Sequence, residues 1–278
     1  MSYPFEVIPS LRREALMRLI SDGKRADGRG LYDYRQIDIK VGLVRTADGS
    51  ALATIGNTKV IAGVKFELGR PFEDTPGEGN LIVNLETPPL ASPTFEPGPP
   101  DENAIELARV VDRAIRHSGF IDMSTLSIVQ GKSVYALWVD VYVLNHDGNL
   151  MDASLLAAVA ALATSQVPRS IIDGDIIKLD KSNKVPLTVN MDKMPITTTF
   201  NKIGKFILAD ANVEEEVLSE GRFTVAFSGN DVVSIQKSSG FFTPLEIEDM
   251  MTHGLELSKS IRARVIESLG NKPESFII

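Results

Sequence analysis

Three arginines, Arg109, Arg113 and Arg116, are spaced four and three residues apart in the stretch ENAIELARVVDRAIRHSG (102–119). On a helix turning about 100° per residue they share an arc of roughly 60°. The guanidinium fork matches phosphate oxygens bidentately, so arginine at all three positions suits a phosphate backbone. The opposite arc carries Ala104, Leu107, Ala108, Val111 and Ile115, an apolar stripe for a core. A solvated face with local ion pairs is the competing use of the same spacing. Asp112 lies one turn before Arg116 and Glu106 three residues before Arg109. Such pairs stabilise a helix by only about 0.2–0.5 kcal/mol.

Other reactive residues are few. The chain has no cysteine, which excludes disulfides, thiolate metal sites and cysteine nucleophiles. His117, His146 and His253 form no ligand-spaced pair, and the spacing calls for neither a metal nor a cofactor. No phosphate-binding Gly-x-x-x-x-Gly-Lys-Ser/Thr loop or Gly-x-Gly-x-x-Gly turn is present. The formal charge of −8 argues against a freestanding nucleic-acid binder, so RNA would have to meet a local basic patch. No apolar run approaches the ~20 residues of a membrane span. The N-terminal stretch MSYPFEVIPSLRREALMRLI lacks an apolar signal core, and a cytoplasmic protein without membrane contact is expected.

The elements that must position the arginines follow from pattern. A helix over about 10–20 leads into the turn-rich basic connector GKRADGRG (23–30). Strands at 35–44, 50–56 and 58–68, with Asp48-Gly49 and Asn57 between them, predict an antiparallel meander. NLIVNLE (80–86) predicts another strand. A stiff loop over 87–103, holding six of the fifteen prolines, delivers the chain into the arginine helix. Strands at 125–131 and 134–145 and an alanine-rich interior helix at 151–164 close the first half. Residues 168–174 read as a boundary. The second half predicts strands near 175–180, 185–191, 195–200 and 205–210, then the acidic helix NVEEEVLSE. Strands at 222–228 and 231–237 and a helix over about 244–269 follow. Strands, helix, strands, helix occurs twice, an α+β pattern.

RADGRG (25–30), DGSALATIGNTKVIAGV (48–64), EDTPGEGNLIVNLE (73–86), FEPGPPDENAIELARVVDRAIR (95–116) and WVDVYVLNHDGNLMDAS (138–154) together resemble the ribonuclease PH superfamily. More narrowly they resemble the non-catalytic ring subunit of the archaeal RNA exosome. The resemblance is strong over 20–170 and weaker beyond. It implies a ribonuclease PH-like fold of duplicated β-α-β-α units in two lobes. The expected division is an N-terminal helix and connector at 1–30, a first lobe at 31–168 and a second at 169–278. It also implies a hexameric ring of three heterodimers with a catalytic paralogue that degrades single-stranded RNA 3′→5′ with inorganic phosphate. RNA-binding cap proteins sit on such a ring. By position in the helix, Arg109, Arg113 and, less directly, Arg116 are the residues the resemblance assigns to RNA binding.

Phosphorolysis needs a phosphate pocket and an acid for the departing 3′ oxygen. In active members the turn after the VDVxVL strand ends in Ser/Thr-Arg. Here it reads His146-Asp147-Gly148-Asn149-Leu150, with Leu150 at the arginine position. Active members carry two aspartates before a Met-Pro, in a form like Gly-Asp-Ser-Asp-Met-Pro. Here Asn190-Met191-Asp192-Lys193-Met194-Pro195 puts Met191 and Lys193 at both carboxylate positions. An Arg-Arg pair entering the arginine helix is replaced by Glu102-Asn103. The expectation is a catalytically silent chain; a one-residue slip in register would return a carboxylate, Asp192, to a catalytic position. A self-sufficient phosphorolytic enzyme and a scaffold without RNA contact are the competing readings.

Overall fold

The computed structural model describes residues 10–174 and 176–270. The ends of the expected N-terminal segment and second lobe, 1–9 and 271–278, lie outside the described residues. Helix α1 (Ser10–Ser21) buries Leu16 and Ile20 against Ile203, Leu208 and Leu218.

The first sheet contains β1 (Ile37–Val41), β2 (Gly49–Ile55), β3 (Thr58–Gly69), β4 (Asn80–Glu86), β5 (Ser127–Val129) and β6 (Ser133–Asn145). Its order is β1-β2-β3-β6-β4, with β5 paired to β6. The expected meander forms from β1 to β3, and period-2 alternation in β3 turns Val60, Ala62, Val64 and Phe66 inward. β4 does not extend the meander. It lies parallel to β6 at the sheet's edge, and a parallel neighbour requires a crossover. Helix α2 (Glu102–Ser118), which carries the three arginines, is part of that crossover.

Helix α3 (Leu150–Ala163) is buried on every side. It packs on β2, β3 and β6 and, across the molecule, on the second sheet. Alanine at Ala153, Ala157, Ala158, Ala160 and Ala161 lets backbones approach from all directions. The bend after β1 falls at 45–48, so Gly49 already belongs to β2. A Cβ there would stand 2.2 Å from Ser165 Oγ and 2.5 Å from the Ala161 carbonyl oxygen. Gly49→Ala is therefore expected to destabilise the chain by about 1–3 kcal/mol through overpacking. Urea unfolding checks it; an unchanged midpoint would show that the end of α3 can move aside.

Between the sheets in sequence, β7 (Gln166–Asp173) and β8 (Ile176–Pro186) form a two-stranded antiparallel hairpin. This departs from the strands expected at 175–180 and 185–191. Pro168, read as a breaker, is accommodated in β7 beside a bulge because a two-stranded hairpin has only edge strands. Pro186 lacks a donor and ends the ladder. Beyond it only an Ile121–Val189 bridge forms before a short 3₁₀ turn at Met191–Lys193.

The second sheet, β9 (Pro195–Ile203), β10 (Phe206–Ala209), β11 (Gly221–Ser228) and β12 (Asp231–Ser239), has the order β10-β9-β11-β12. The acidic segment is the short helix α4 (Val213–Leu218), and α5 (Pro244–Leu269) covers β9 and β11. The architecture is α+β, and strands, helix, strands, helix recurs in both halves. Among the described residues no helix is long and apolar enough to cross a membrane.

Candidate nucleic-acid interface

Helix α2 starts at Asp101, whose side chain accepts from the Ala104 amide at 2.8 Å, and ends at Gly119 in the left-handed region. The apolar stripe seats it in the core, with Val110 and Ala114 buried as well and Ala108 half-buried. The helix lies against β4, an edge of the first sheet, and β12, an edge of the second.

That position makes the three arginines unequal. Arg109 is exposed and has no ion-pair or hydrogen-bond partner among the described residues. Arg113 is half-buried and donates from Nη2 to Gln236 Oε1 at 2.6 Å, while its shielded Nε finds no acceptor. Arg116 grips Asp112 with two bonds of 2.6 and 3.1 Å and donates to the Leu81 carbonyl of β4 at 3.0 Å. The expected Asp112–Arg116 pair is thus present. The expected Glu106–Arg109 pair is not, because Glu106 turns to β11 and β12. It accepts from Arg222 at 2.9 Å, Gln236 at 2.7 Å and Ser238 at 2.5 Å. Burial pushes the Glu106 carboxyl up, but these partners outweigh it and hold it below its ordinary value.

A groove of about 550 Å³ runs between α2 and the free edge of β4. Ile82 and Val83 line one side and Ile105, Ala108, Arg109 and Asp112 the other. Its one uncommitted cation, among the described residues, is Arg109. A polyanion following this helix would meet Arg109 first and Arg113 at the cost of the Gln236 bond.

The α3 N-terminus, where the resemblance led to a phosphate turn, is filled from within. Leu150 is buried. Asn149 adopts φ 53°, accepts from the Asp152 amide through its side chain, and donates its own backbone N–H to Glu216 Oε1 at 2.8 Å. A carboxylate of the chain therefore sits where the helix's free N–H groups would attract an anion. Burial raises the Glu216 pKa. Gly148, at φ 81°, passes so close to α4's leader that a Cβ would stand 2.4 Å from the Ala211 carbonyl. His146, pushed down to about 4 by burial, is neutral at pH 7.

The Asn190–Pro195 stretch lies elsewhere. α3 meets β9 at Thr199, which donates to Asp152 at 2.8 Å, whereas residues 190–193 precede the strand and touch the end of α2 through Phe120 and Ser228. Lys193 pairs with Asp231 at 2.9 Å, and Asp192 is exposed. Among the described residues no group of three or more His, Asp or Glu is placed to hold a metal ion.

The connector arginines form an interior clamp, which sequence reading missed. Arg25 is buried in a pair with Glu215 and donates to the Ala209 and Asp210 carbonyls. Arg29 reaches Asp210 at 3.0 Å. Arg35 binds the same carboxylate at 2.8 and 2.9 Å and the Asp147 carbonyl at 2.5 Å. The only sequence signal was the crowding of arginine among turn residues.

Comparison with known proteins matches residues 33–168 to domain 1 of the 3′ exoribonuclease family and residues 193–256 to its domain 2. The chain is 48% identical to the exosome complex component Rrp42 of Pyrobaculum aerophilum, over 96% of each chain. It is 45% identical to that of Thermococcus onnurineus, over 95% of this chain and 98% of the relative. Among solved structures it resembles a chain of the Archaeoglobus fulgidus exosome with RNA bound to the active site, at TM-score 0.84 and 37% identity. That match covers 91% of this chain and 97% of the other. A chain of an archaeal exosome core matches at TM-score 0.80 and 34% identity, over 92% and 96%.

Proposed function

Since the chain belongs to the 3′ exoribonuclease family, we propose that it is a non-catalytic subunit of an archaeal exosome ring. In this reading three copies alternate with three copies of a catalytic paralogue, cap proteins sit on the ring, and the work is cytoplasmic. The lobes at 31–168 and 169–278 build the ring, and Arg109 and Arg113 hold the backbone of single-stranded RNA at the paralogue's active site. Arg116, already paired with Asp112 and Leu81, plays the lesser part. Phosphate contacts of this kind position RNA without reading its sequence.

The observation that carries catalytic silence is the α3 N-terminus. Leu150 offers no cation to phosphate, and the Glu216 carboxylate occupies the amide of Asn149. An attacking phosphate would meet like charge. Lys193 is engaged by Asp231 and as a cation repels a divalent metal.

The purified chain is expected to release no nucleoside diphosphate from RNA and phosphate. Coexpressed with the catalytic paralogue it should give a 1:1 complex of six subunits by native mass. Turnover by the chain alone that disappears in Asp192→Asn would establish the self-sufficient enzyme instead. A stable monomer indifferent to the paralogue would remove the ring.

A further inference from the structure

The chain is acidic overall, yet one end of the second sheet is basic and aromatic. Three lysine–phenylalanine pairs meet there: Lys202 Nζ lies 5.7 Å from the Phe242 ring centroid, Lys205 Nζ 5.3 Å from Phe206, and Lys237 Nζ 5.9 Å from Phe241. The strands bring them together. Lys202 ends β9 opposite Gly221, Lys205 sits in the β9–β10 turn, and Gly240 packs its Cα against Gly221. A Cβ on Gly240 would stand 2.4 Å from the Gly221 Cα, so the segment leaving β12 is pinned there at φ 75°.

The three pairs differ in what they leave open. Lys202 is neutralised by Glu246 at 2.6 Å, and Phe242 packs on Phe223. Phe241 is 92% exposed, and its neighbour Lys237 donates only to the Gly240 carbonyl. Lys205 is likewise exposed with no carboxylate partner among the described residues. A large ring held in water by a pinned backbone, with unneutralised ammonium groups beside it, has the make-up of a stacking platform for a base with cations for its phosphates.

Its place in the fold links it to the arginine helix. Ser238, next to Lys237, and Arg222, paired across the sheet with Ser239, both bind Glu106 on α2. Glu106 is one turn before Arg109. β12 is an edge strand, so no further strand separates Lys237 from α2.

We propose that Phe241, flanked by Lys237 and Lys205, is a second contact for single-stranded RNA, stacking one base of a strand whose backbone passes Arg109. The assignment rests on the RNA-binding reading above. Charge favours RNA as the occupant, because a protein partner seated on an exposed phenylalanine gains nothing from two unpaired ammonium groups unless it is itself strongly acidic.

The test is the affinity of the assembled ring for fluorescein-labelled oligouridylate at several salt concentrations. Phe241→Ala is expected to weaken binding roughly tenfold, and Phe241→Trp to retain it, with tryptophan fluorescence quenched as RNA binds. Lys237→Gln should lower the log–log salt slope by about 0.7. Arg109→Glu is the reference variant. If Arg109→Glu weakens binding while Phe241→Ala does not, the platform is overturned and the proposed function stands. If neither weakens it, the RNA-binding reading falls with it. If Phe241→Ala instead lowers the native mass of the ring, the phenylalanine belongs to a protein interface and the assignment is wrong.

Discussion

Asp210→Asn is expected to cost the isolated chain roughly 3–5 kcal/mol, the penalty for leaving a buried cation without its partner. The Asp210 carboxylate is fully buried and receives Arg35 at 2.8 and 2.9 Å, Arg29 at 3.0 Å, the Arg35 amide at 2.8 Å and the Asn149 side chain at 2.8 Å. Asparagine keeps the volume and tolerates the left-handed φ of 49° at this position. What it removes is the charge, leaving Arg35 and Arg29 facing a neutral amide. For a chain of this size the melting temperature should fall on the order of 10 °C.

The pH dependence separates this cause from simple packing. Burial pushes the Asp210 carboxyl up, but the Arg35 hydrogen bonds and charge outweigh it, and its pKa lies below the ordinary 3.8. Stabilisation from the charged form is therefore complete above 3.8 and lost as pH falls through the lower folded value. The asparagine variant lacks that acid limb, so its stability should converge on wild type in acid. Urea midpoints across the acid range check it; a deficit that stays constant down to the lowest pH would assign the loss to shape rather than charge.

Combined Arg109→Glu and Arg113→Glu should weaken RNA binding by the ring by about 100-fold or more, taking roughly 1.5–3 kcal/mol for each charge-assisted contact. The single variants are expected to behave differently. Arg109 is exposed and unpartnered, so its reversal should change stability by no more than about 0.5 kcal/mol and lower the salt slope by about 0.7. Arg113→Glu would point a carboxylate at Gln236, which already donates to Glu106. It should cost an additional 1–3 kcal/mol or so of fold stability, because a half-buried charge then lacks a donor. Affinity, salt slope and urea midpoint for each single variant and the pair measure this. An intact double-mutant ring with wild-type affinity and slope would return both arginines to a structural role.

Local pattern made much of this legible. The 3.6-residue period of 102–119 identified the buried stripe, the exposure of Arg109 and the Asp112–Arg116 pair. The alanine run of 153–163 announced an interior helix, since small apolar residues on every side leave no face for water. Leu150, Met191 and Lys193 stood out as departures by residue type alone. Strand alternation found β1 to β3, yet it mistook 185–191 for a strand and overlooked β7, because a proline is judged from sequence without knowing whether its strand has a free edge.

The partners of each charge were decided only by tertiary structure. Sequence period says which side chains share a face, but an ion pair forms with whatever the fold brings opposite. Arg113 meets Gln236 across 123 residues, and Arg25 meets Glu215 across 190. The same holds for Glu216 on the α3 N-terminus and for Phe241 beside Lys237, each placed by a long-range pairing of strands or helices. Helical spacing thus determined that three arginines lie together, and the edges of two sheets determined that Arg109 is the one left free for a ligand.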